Sequence, residues 1–327
     1  MDTFRRDVVV IGGSAGGHDA AQRLVAGLPA ELGAAVLVAL HLSPSAPSTL
    51  GGILARAGRL PAAPAKDGEQ ALPGRIYAAV PDHHLLIGER DLLHHSRGPR
   101  QNRARPAADT LFRSAARWCG SRVIGVVLSG SLDDGAAGLS GIVERGGVAL
   151  VQRPDDARFD GMPAAALSAV PDATALPARD LGPAIAELVG RSDAPDTPAQ
   201  MAPTDSLLWE TEMLADGRST IDRPGRPVAL GCPDCGGGMY RLDTGHAIHY
   251  ACHVGHSYSP QTLLAARDDN VEAALWAAVS ALQEKAMVLR ELAQHAAGLG
   301  DEAAHRRHHD AAEQAWKAGE VLRTQLG

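Results

Sequence analysis

The run VVVIGGSAGG, Val8 to Gly17, constrains this chain more tightly than any other stretch. Its first four residues, Val8 to Ile11, are all β-branched and read as a strand buried on both faces, the kind found inside parallel sheets. The strand runs into a glycine-rich turn holding one serine, and a helical pattern follows from about Gly17. Gly12-Gly13-Ser14-Ala15-Gly16 matches G-x-S-x-G, whose small neighbours permit a sharp turn that lifts the serine oxygen clear of the backbone. The same turn aims backbone N–H groups and the positive end of the helix at whatever that oxygen attacks. Plain strand-to-helix punctuation and phosphate binding compete with this reading. A dinucleotide fingerprint starting at Gly12 would need its second glycine at Ser14, and no G-x-x-x-x-G-K-[ST] occurs.

From residue 7 to about 190, short apolar runs alternate with helical patterns. Candidate strands are Val8–Ile11, Ala35–Leu40, Arg75–Ala79, Val123–Leu128 and Val148–Gln152. Between and after them helical periodicity covers residues 17–28, 47–57, 106–118, 135–145, 162–169 and 180–190. This predicts an α/β fold with a doubly wound, mostly parallel sheet, and a small hairpin over His83–His95. The apolar 45% of the 327 residues supports a substantial core, whereas 3% aromatics leave no stacking platform for single-stranded nucleic acid. A formal net charge of −7 argues further against a polyanionic partner. Arg5 and Arg6 precede an apolar run too short for a signal-peptide core, and no stretch approaches the ~20 apolar residues of a membrane span. A cytoplasmic protein without membrane insertion is the expectation.

In doubly wound sheets the ligand crevice lies beyond the carboxyl ends of the strands, so polar residues just after a strand are candidates for chemistry. They are Ser14 after the first strand, His41 after Ala35–Leu40, and Asp133 and Asp134 in the SGSLDDG turn after Val123–Leu128. Singly, each reads as an ordinary loop or capping residue. Together they are the inventory of a nucleophile, its base and the carboxylate that orients the base. Their order, Ser…His…Asp, differs from the Ser…Asp…His of α/β-hydrolases, which places the constellation on another scaffold.

GGSAGG at Gly12, HLSP at His41, Arg105-Pro106-Ala107-Ala108-Asp109 ahead of LFRSAA, LSGSLDDGAAGL at Leu128 and FDGMP at Phe159–Pro163 occur in this order. Over about residues 5–190 they resemble the catalytic domain of CheB-type chemotaxis protein-glutamate methylesterases. The resemblance implies a serine hydrolase that removes methyl esters from glutamate side chains of chemoreceptor cytoplasmic regions or similar helical proteins. Methanol is released, often with a second activity that deamidates receptor glutamines. By motif position Ser14 is the nucleophile, His41 the base, and Asp134 rather than Asp133 the third member. The oxyanion is then expected against backbone N–H groups of Ala15 and Ser131. The family often has threonine after the nucleophile and methionine in the aspartate turn, where this chain has Ala15 and Ser131. Arg105 and Asp109 are read as caps of the following helix in preference to cleft residues. Family members commonly carry an N-terminal phosphorylatable receiver; with the catalytic motif starting at residue 8, a separate regulatory protein is the expected source of control.

Residues 191–227 are rich in Pro, Asp, Ser and Thr and read as a linker between a catalytic domain (1–190) and two C-terminal modules, with one amphipathic turn at Leu207–Leu214. Cys232-Pro-Asp-Cys235 and Cys252-His253-Val-Gly-His256 form the first of these, a compact zinc-ribbon-like module over residues 228–259, across a hairpin of Met239–Leu242 and Ala247–Tyr250. Cys232, Cys235, Cys252 and His256 supply four ligands for a tetrahedral structural zinc, with iron and a metal-free knuckle as alternatives. His253, next to Cys252 on a strand, is expected to point away. Four protein ligands leave no open position, so catalysis is expected to need no cofactor. Residues 260–327 read as a helical hairpin broken at Gly298-Leu-Gly300, with an apolar stripe through Leu275, Val279, Leu282, Ala286, Leu289 and Leu292–Ala293. The competing function is a catalytically silent docking protein that acts through this zinc module and helical tail.

Overall fold

Strand β1 (Val8–Gly13) is buried along its whole length, near the middle of a seven-stranded sheet. The computed structural model describes residues 5–191, 206–217, 219 and 222–326. They divide into two compact units, Met1–Leu263 and Leu264–Gly327. After β1 the first unit continues through α1 (Gly17–Ala26), β2 (Ala35–Leu40), α2 (Leu50–Ala57), β3 (Ala62–Pro64) and β4 (Arg75–Ala78). An antiparallel hairpin, β5 (His84–Ile87) and β6 (Leu93–Ser96), leads to α3 (Ala108–Cys119) and β7 (Val123–Val127). Then come α4 (Ala136–Glu144), β8 (Val148–Gln152), α5 (Gly161–Ala169), β9 (Thr174–Leu176) and α6 (Ala178–Leu188).

The large sheet has the order β3-β4-β2-β1-β7-β8-β9, and every neighbouring pair is parallel. Both of its faces are covered, as the unbroken apolar runs require. Side chains alternate along β1: Val8 and Val10 join a core with Phe112 of α3, Leu139 of α4 and Met162 of α5. Val9 and Ile11 join the opposite core with Leu24 of α1, Leu54 of α2 and Leu181 of α6. The short edge strands β3 and β9 are absent from the sequence expectation because three residues carry no readable period, and Pro64 is tolerated only at such an edge. The chain winds outward from β1 through β2 and then returns to β7 on the other side of β1. That reversal opens the crevice in which such sheets bind ligands, at the carboxyl ends of β1 and β7.

The segment expected as a linker holds an eleven-residue helix, α7 (Ser206–Asp216). So short a helix is marginal alone, and it forms here because it docks. Arg117 of α3 donates to Thr211 Oγ1 at 2.6 Å, the buried Ser96 Oγ donates to Leu214 O, and Leu207 enters the core beside α3 and α4. The rest of that linker, residues 192–205, 218, 220 and 221, lies outside the described residues.

Next is a four-stranded antiparallel ribbon of β10 (Arg226–Gly231), β11 (Gly238–Thr244), β12 (Ala247–Cys252) and β13 (Ser257–Tyr258). It belongs to the same compact unit as the large sheet: Ala247 packs in the core of Phe112 and Leu139, and Ser140 of α4 donates to Thr244 O at 3.1 Å.

Helices α8 (Pro260–Gly298) and α9 (Glu302–Arg323) complete the chain. Within the second unit they fold on one another, with Arg290 paired to Glu313 at 3.5 Å and lying over the Trp316 ring. Val279, Ala286 and Ala293 of the expected stripe are buried, but Leu292 is exposed, because a single partner helix covers too narrow an arc to reach it.

Gly12 marks where β1 and α3 approach most closely, since a Cβ there would sit 2.4 Å from Ala108 Cβ. Gly12→Ala should therefore destabilise the protein by about 1–3 kcal/mol, read as a lower urea midpoint, and Ala108→Gly in the same chain should recover part of the loss.

Candidate active site

The turn after β1 is held from three sides. Ser14 N–H donates to Ser129 O (2.9 Å), Gly17 N–H donates to Ser14 O (2.8 Å), and Ser129 Oγ donates to Ala15 O (2.8 Å). Gly16 takes φ 74°, and a Cβ there would lie 2.6 Å from Ser129 Oγ, so glycine is required twice over. Gly130 is required by contact alone. A Cβ on it would lie 2.9 Å from Ser14 Cβ and 2.1 Å from Met162 Sδ. The FDGMP segment is the outer wall of this turn, with Gly130 N–H donating to Phe159 O (3.0 Å) and Met162 N–H donating to Gly130 O (2.8 Å).

His41 follows β2 directly, and its N–H donates to Gly13 O at 3.1 Å, which holds it beside the serine turn. Its Nε2 lies 2.7 Å from Asp134 Oδ2, with His41 partly exposed and Asp134 buried. Asp134 is saturated with donors. Oδ2 also accepts from Ala108 N–H (2.6 Å), while Oδ1 accepts from Asn102 Nδ2 (2.8 Å) and Asp109 N–H (3.2 Å). Ala107, which precedes α3, offers no side-chain cap, so Asp134 caps that helix from a distant part of the chain and sits at the positive end of its dipole. Burial by itself raises the Asp134 carboxyl, but the hydrogen bond and charge of His41, with Asn102 and Ala108 behind them, hold it down to about 2. Asp133 faces elsewhere. It accepts from Ser259 Oγ and is pushed up to about 6 by burial.

Ser14, His41 and Asp134 line one cavity of about 250 Å³ together with Asn102, Ser131, Leu132 and Thr262. Three of the residues around it take positive φ, Asn102 (50°), Arg103 (65°) and Leu132 (63°), a clustering of backbone strain characteristic of functional sites. Ser131 is at the wall; Ala15 is not, and its carbonyl is turned to Ser129. Arg105 and Asp109 neither cap α3 with their side chains nor line the cavity. Arg105 pairs with Asp82 (2.6 Å) and donates to Gly98 O (2.8 Å). Asp109 is buried beneath the site, accepting from Asn102 Nδ2 (2.9 Å) and Gly138 N–H (2.7 Å). Asn102 and Thr262 have no signal in the sequence: neither follows a strand or sits in a motif, and long-range hydrogen bonds alone bring them here.

A second cluster lies in the ribbon. The ligand atoms of Cys232, Cys235, Cys252 and His256 all fall within 4.8 Å of one another, and the cysteines form no disulfide. A tetrahedral zinc with Zn–S of about 2.3 Å and Zn–N of about 2.0 Å sets neighbouring ligand atoms roughly 3.5–3.8 Å apart. Cys235 Sγ lies 3.7 Å from Cys252 Sγ, and Cys252 Sγ lies 3.6 Å from His256 Nδ1, so the donor set fits such an ion in both chemistry and spacing. Asp234 Oδ2 stands 3.8 Å from the other ring nitrogen of His256, where a carboxylate commonly orients a metal-bound imidazole. His253 packs over Gly237, where a Cβ would meet its ring at 2.0 Å, so it stays out of the cluster.

Because the folded pKa of Asp134 is depressed, its contribution to stability is present above the ordinary carboxylate value near 4 and is lost as pH falls towards 2. Urea unfolding of wild type and Asp134→Asn across pH should show a wild-type advantage on the order of 2 kcal/mol at neutral pH that shrinks between about pH 4 and 2.

The CheB methylesterase family model matches residues 9–185. A protein-glutamate methylesterase/protein-glutamine glutaminase of Caulobacter vibrioides is 38% identical over 184 residues, covering 55% of this chain and 53% of that protein. One from Paraburkholderia xenovorans is 37% identical over 175 residues, covering 52% and 48%. The chain thus spans about half the length of these relatives. The crystal structure of the Thermotoga maritima CheB methylesterase catalytic domain superposes with a TM-score of 0.54 at 28% identity, covering 56% of this chain and 98% of that one. The ribbon with its Cys/His cluster lies beyond the matched segment, whereas Ser14, His41 and Asp134 lie inside it. Sharing the segment, the motifs and the parallel sheet, the chain belongs to the CheB methylesterase family.

Proposed function

We propose that this chain is a serine hydrolase that cleaves γ-methyl esters of glutamate side chains on chemoreceptor-like helical proteins, with release of methanol. The same machinery applied to a glutamine side chain would release ammonia. The observation that carries the reading is the 2.7 Å hydrogen bond between His41 and a fully buried Asp134 on the cavity that Ser14 also lines. Asp134 takes the Nε2–H, which leaves Nδ1 as the ring nitrogen for Ser14. In the first step Nδ1 removes the Ser14 Oγ proton as Oγ attacks the ester carbonyl, and Asp134 stabilises the imidazolium that forms. The backbone N–H of Ser131, at the cavity wall, would receive the oxyanion, a role that asks nothing of its side chain. The imidazolium returns its proton to methoxide as the acyl–serine bond is retained. Water then repeats the sequence and frees the glutamate.

A cavity of about 250 Å³ suits a single side chain presented by a protein better than a free ligand of drug size. Among the described residues no helix is long and apolar enough to cross a membrane, and a formal charge of −7 disfavours nucleic acid, in keeping with a cytoplasmic enzyme acting on a protein. In the ribbon, Cys232, Cys235, Cys252 and His256 would hold a structural zinc, which when bound supplies cross-linking and no open coordination position. The saturated environment of Asp134 favours the hydrolase over a silent docking protein, for which so costly a buried carboxylate would have no use.

Wild-type protein should label with a fluorophosphonate and release methanol from methylated receptor. Ser14→Ala should lose the label and at least about 10³-fold of the turnover. Failure of the wild type in both assays overturns the hydrolase reading.

A further inference from the structure

The chain that leaves the Cys/His cluster runs directly onto the residue that holds Asp134. Cys252 to His256 is one tight turn, closed by Cys252 N–H to His256 O (2.9 Å) and Gly255 N–H to Cys252 O (3.0 Å), with Gly255 at φ 102°. From that turn outward, successive groups bind one short loop. Gly255 O accepts from Gln101 Nε2 (2.7 Å), and Ser257 O accepts from Asn102 N–H (2.8 Å). Asn102 Oδ1 accepts from Ser259 N–H (2.8 Å) and from Thr262 Oγ1 (3.1 Å). The amide nitrogen of Asn102 meanwhile donates to Asp134 Oδ1 (2.8 Å) and to Asp109 Oδ2 (2.9 Å).

A side-chain amide offers two donors and two acceptor sites, and all four are used here. The partners also fix which way round it lies, because a carboxylate accepts and a backbone N–H donates. Both acceptor sites of Asn102 are filled by the segment that begins one residue after His256. Asn102 itself sits at φ 50°, a left-handed state that asparagine adopts more readily than other non-glycine residues. The sequence sets the metal module apart from catalysis; these bonds join the two within one compact unit.

We propose that zinc held by Cys232, Cys235, Cys252 and His256 clamps the Gly255–Thr262 segment onto Gln101 and Asn102, making Asn102 the positioning residue for Asp134 and the hydrolase metal-dependent although no step of catalysis touches the metal. The inference rests on the hydrolase reading above. Without the ion the two knuckles lose their cross-link, the segment loosens, and the amide that orients Asp134 loses its fixed acceptor side.

The test uses the full chain. Purified protein should contain about one zinc per chain. Stripping it with a strong chelator should lower kcat for methanol release, and the rate of Ser14 labelling, by about 10- to 100-fold, the range typical of lost orienting contacts, with KM nearly unchanged. Hydrogen exchange should rise together over residues 252–262 and 101–109, and zinc alone should restore all of these. Cys235→Ser, at the exposed position of the ligand set, should lose zinc and lower kcat by the same roughly 10- to 100-fold as chelation. Asn102→Ala should lower kcat with zinc still bound, and chelation of that variant should lower kcat no further, a non-additivity that a merely stabilising metal would not produce. Undiminished kcat in the stripped wild type, absence of zinc from active protein, or additive losses in Asn102→Ala would each overturn the clamp. If chelation unfolds the whole chain, Asn102→Ala decides: unchanged kcat with zinc bound overturns it. An inactive wild type that still binds zinc would instead count against the hydrolase reading.

Discussion

A carboxylate buried this deeply without compensation would cost several kcal/mol, so the ionised Asp134 dictates much of what surrounds it. Its four donors come from three separate places: His41 after β2, Asn102 in the loop before α3, and two backbone N–H groups at the start of α3. Satisfying one charge therefore fixes where α3 begins, how the loop is folded and which ring nitrogen His41 presents. Each of those in turn touches the sheet. His41 is pinned to Gly13, and α3 presses Ala108 against Gly12 so closely that only glycine fits. The glycines of the serine turn thus serve packing and chemistry together.

Beneath the site a buried network of ion pairs and hydrogen bonds ties in the elements C-terminal to the sheet. His249 of β12 lies 2.8 Å from Glu210 of α7, Glu210 lies 3.1 Å from Arg113 of α3, and Arg113 lies 3.3 Å from Asp109, which shares the Asn102 amide with Asp134. All four of these side chains are buried. Removing any one would leave its neighbour unsatisfied in a low-dielectric interior, so α7 is held to α3 by an ion pair and the ribbon to α7 by a buried hydrogen bond, as well as by apolar contact. The compact unit that carries the candidate site therefore reaches past the matched segment, through α7 and the ribbon, to the first turn of α8.

Much of this is legible in the sequence where the signal is local. Parallel strands buried on both faces read as continuous apolar runs, so β1, β2 and β8 stand out, and helices that pack on one face show their period. Strands β3 and β9 are not legible because three edge residues carry no pattern. Helix α7 reads as a turn in a polar linker because its stability comes from Arg113, Arg117 and the core beneath, not from its own sequence. Arg105 and Asp109 sit in a recognisable motif, yet their partners, Asp82 and Asn102, are remote or unmarked, so their buttressing role is hidden.

The sequence by itself determined the alternation that builds a doubly wound sheet, the glycines around Ser14, the strand ends that carry His41 and Asp134, and the spacing of three cysteines and a histidine. All of these are encoded in neighbours a few residues apart. Only the tertiary structure decided that Asn102 holds Asp134, and that the segment after His256 holds Asn102. The physical reason is that each of those contacts spans from tens of residues to more than a hundred along the chain, and hydrogen-bond saturation of a buried group is a property of the assembled site, with no trace in local periodicity or composition.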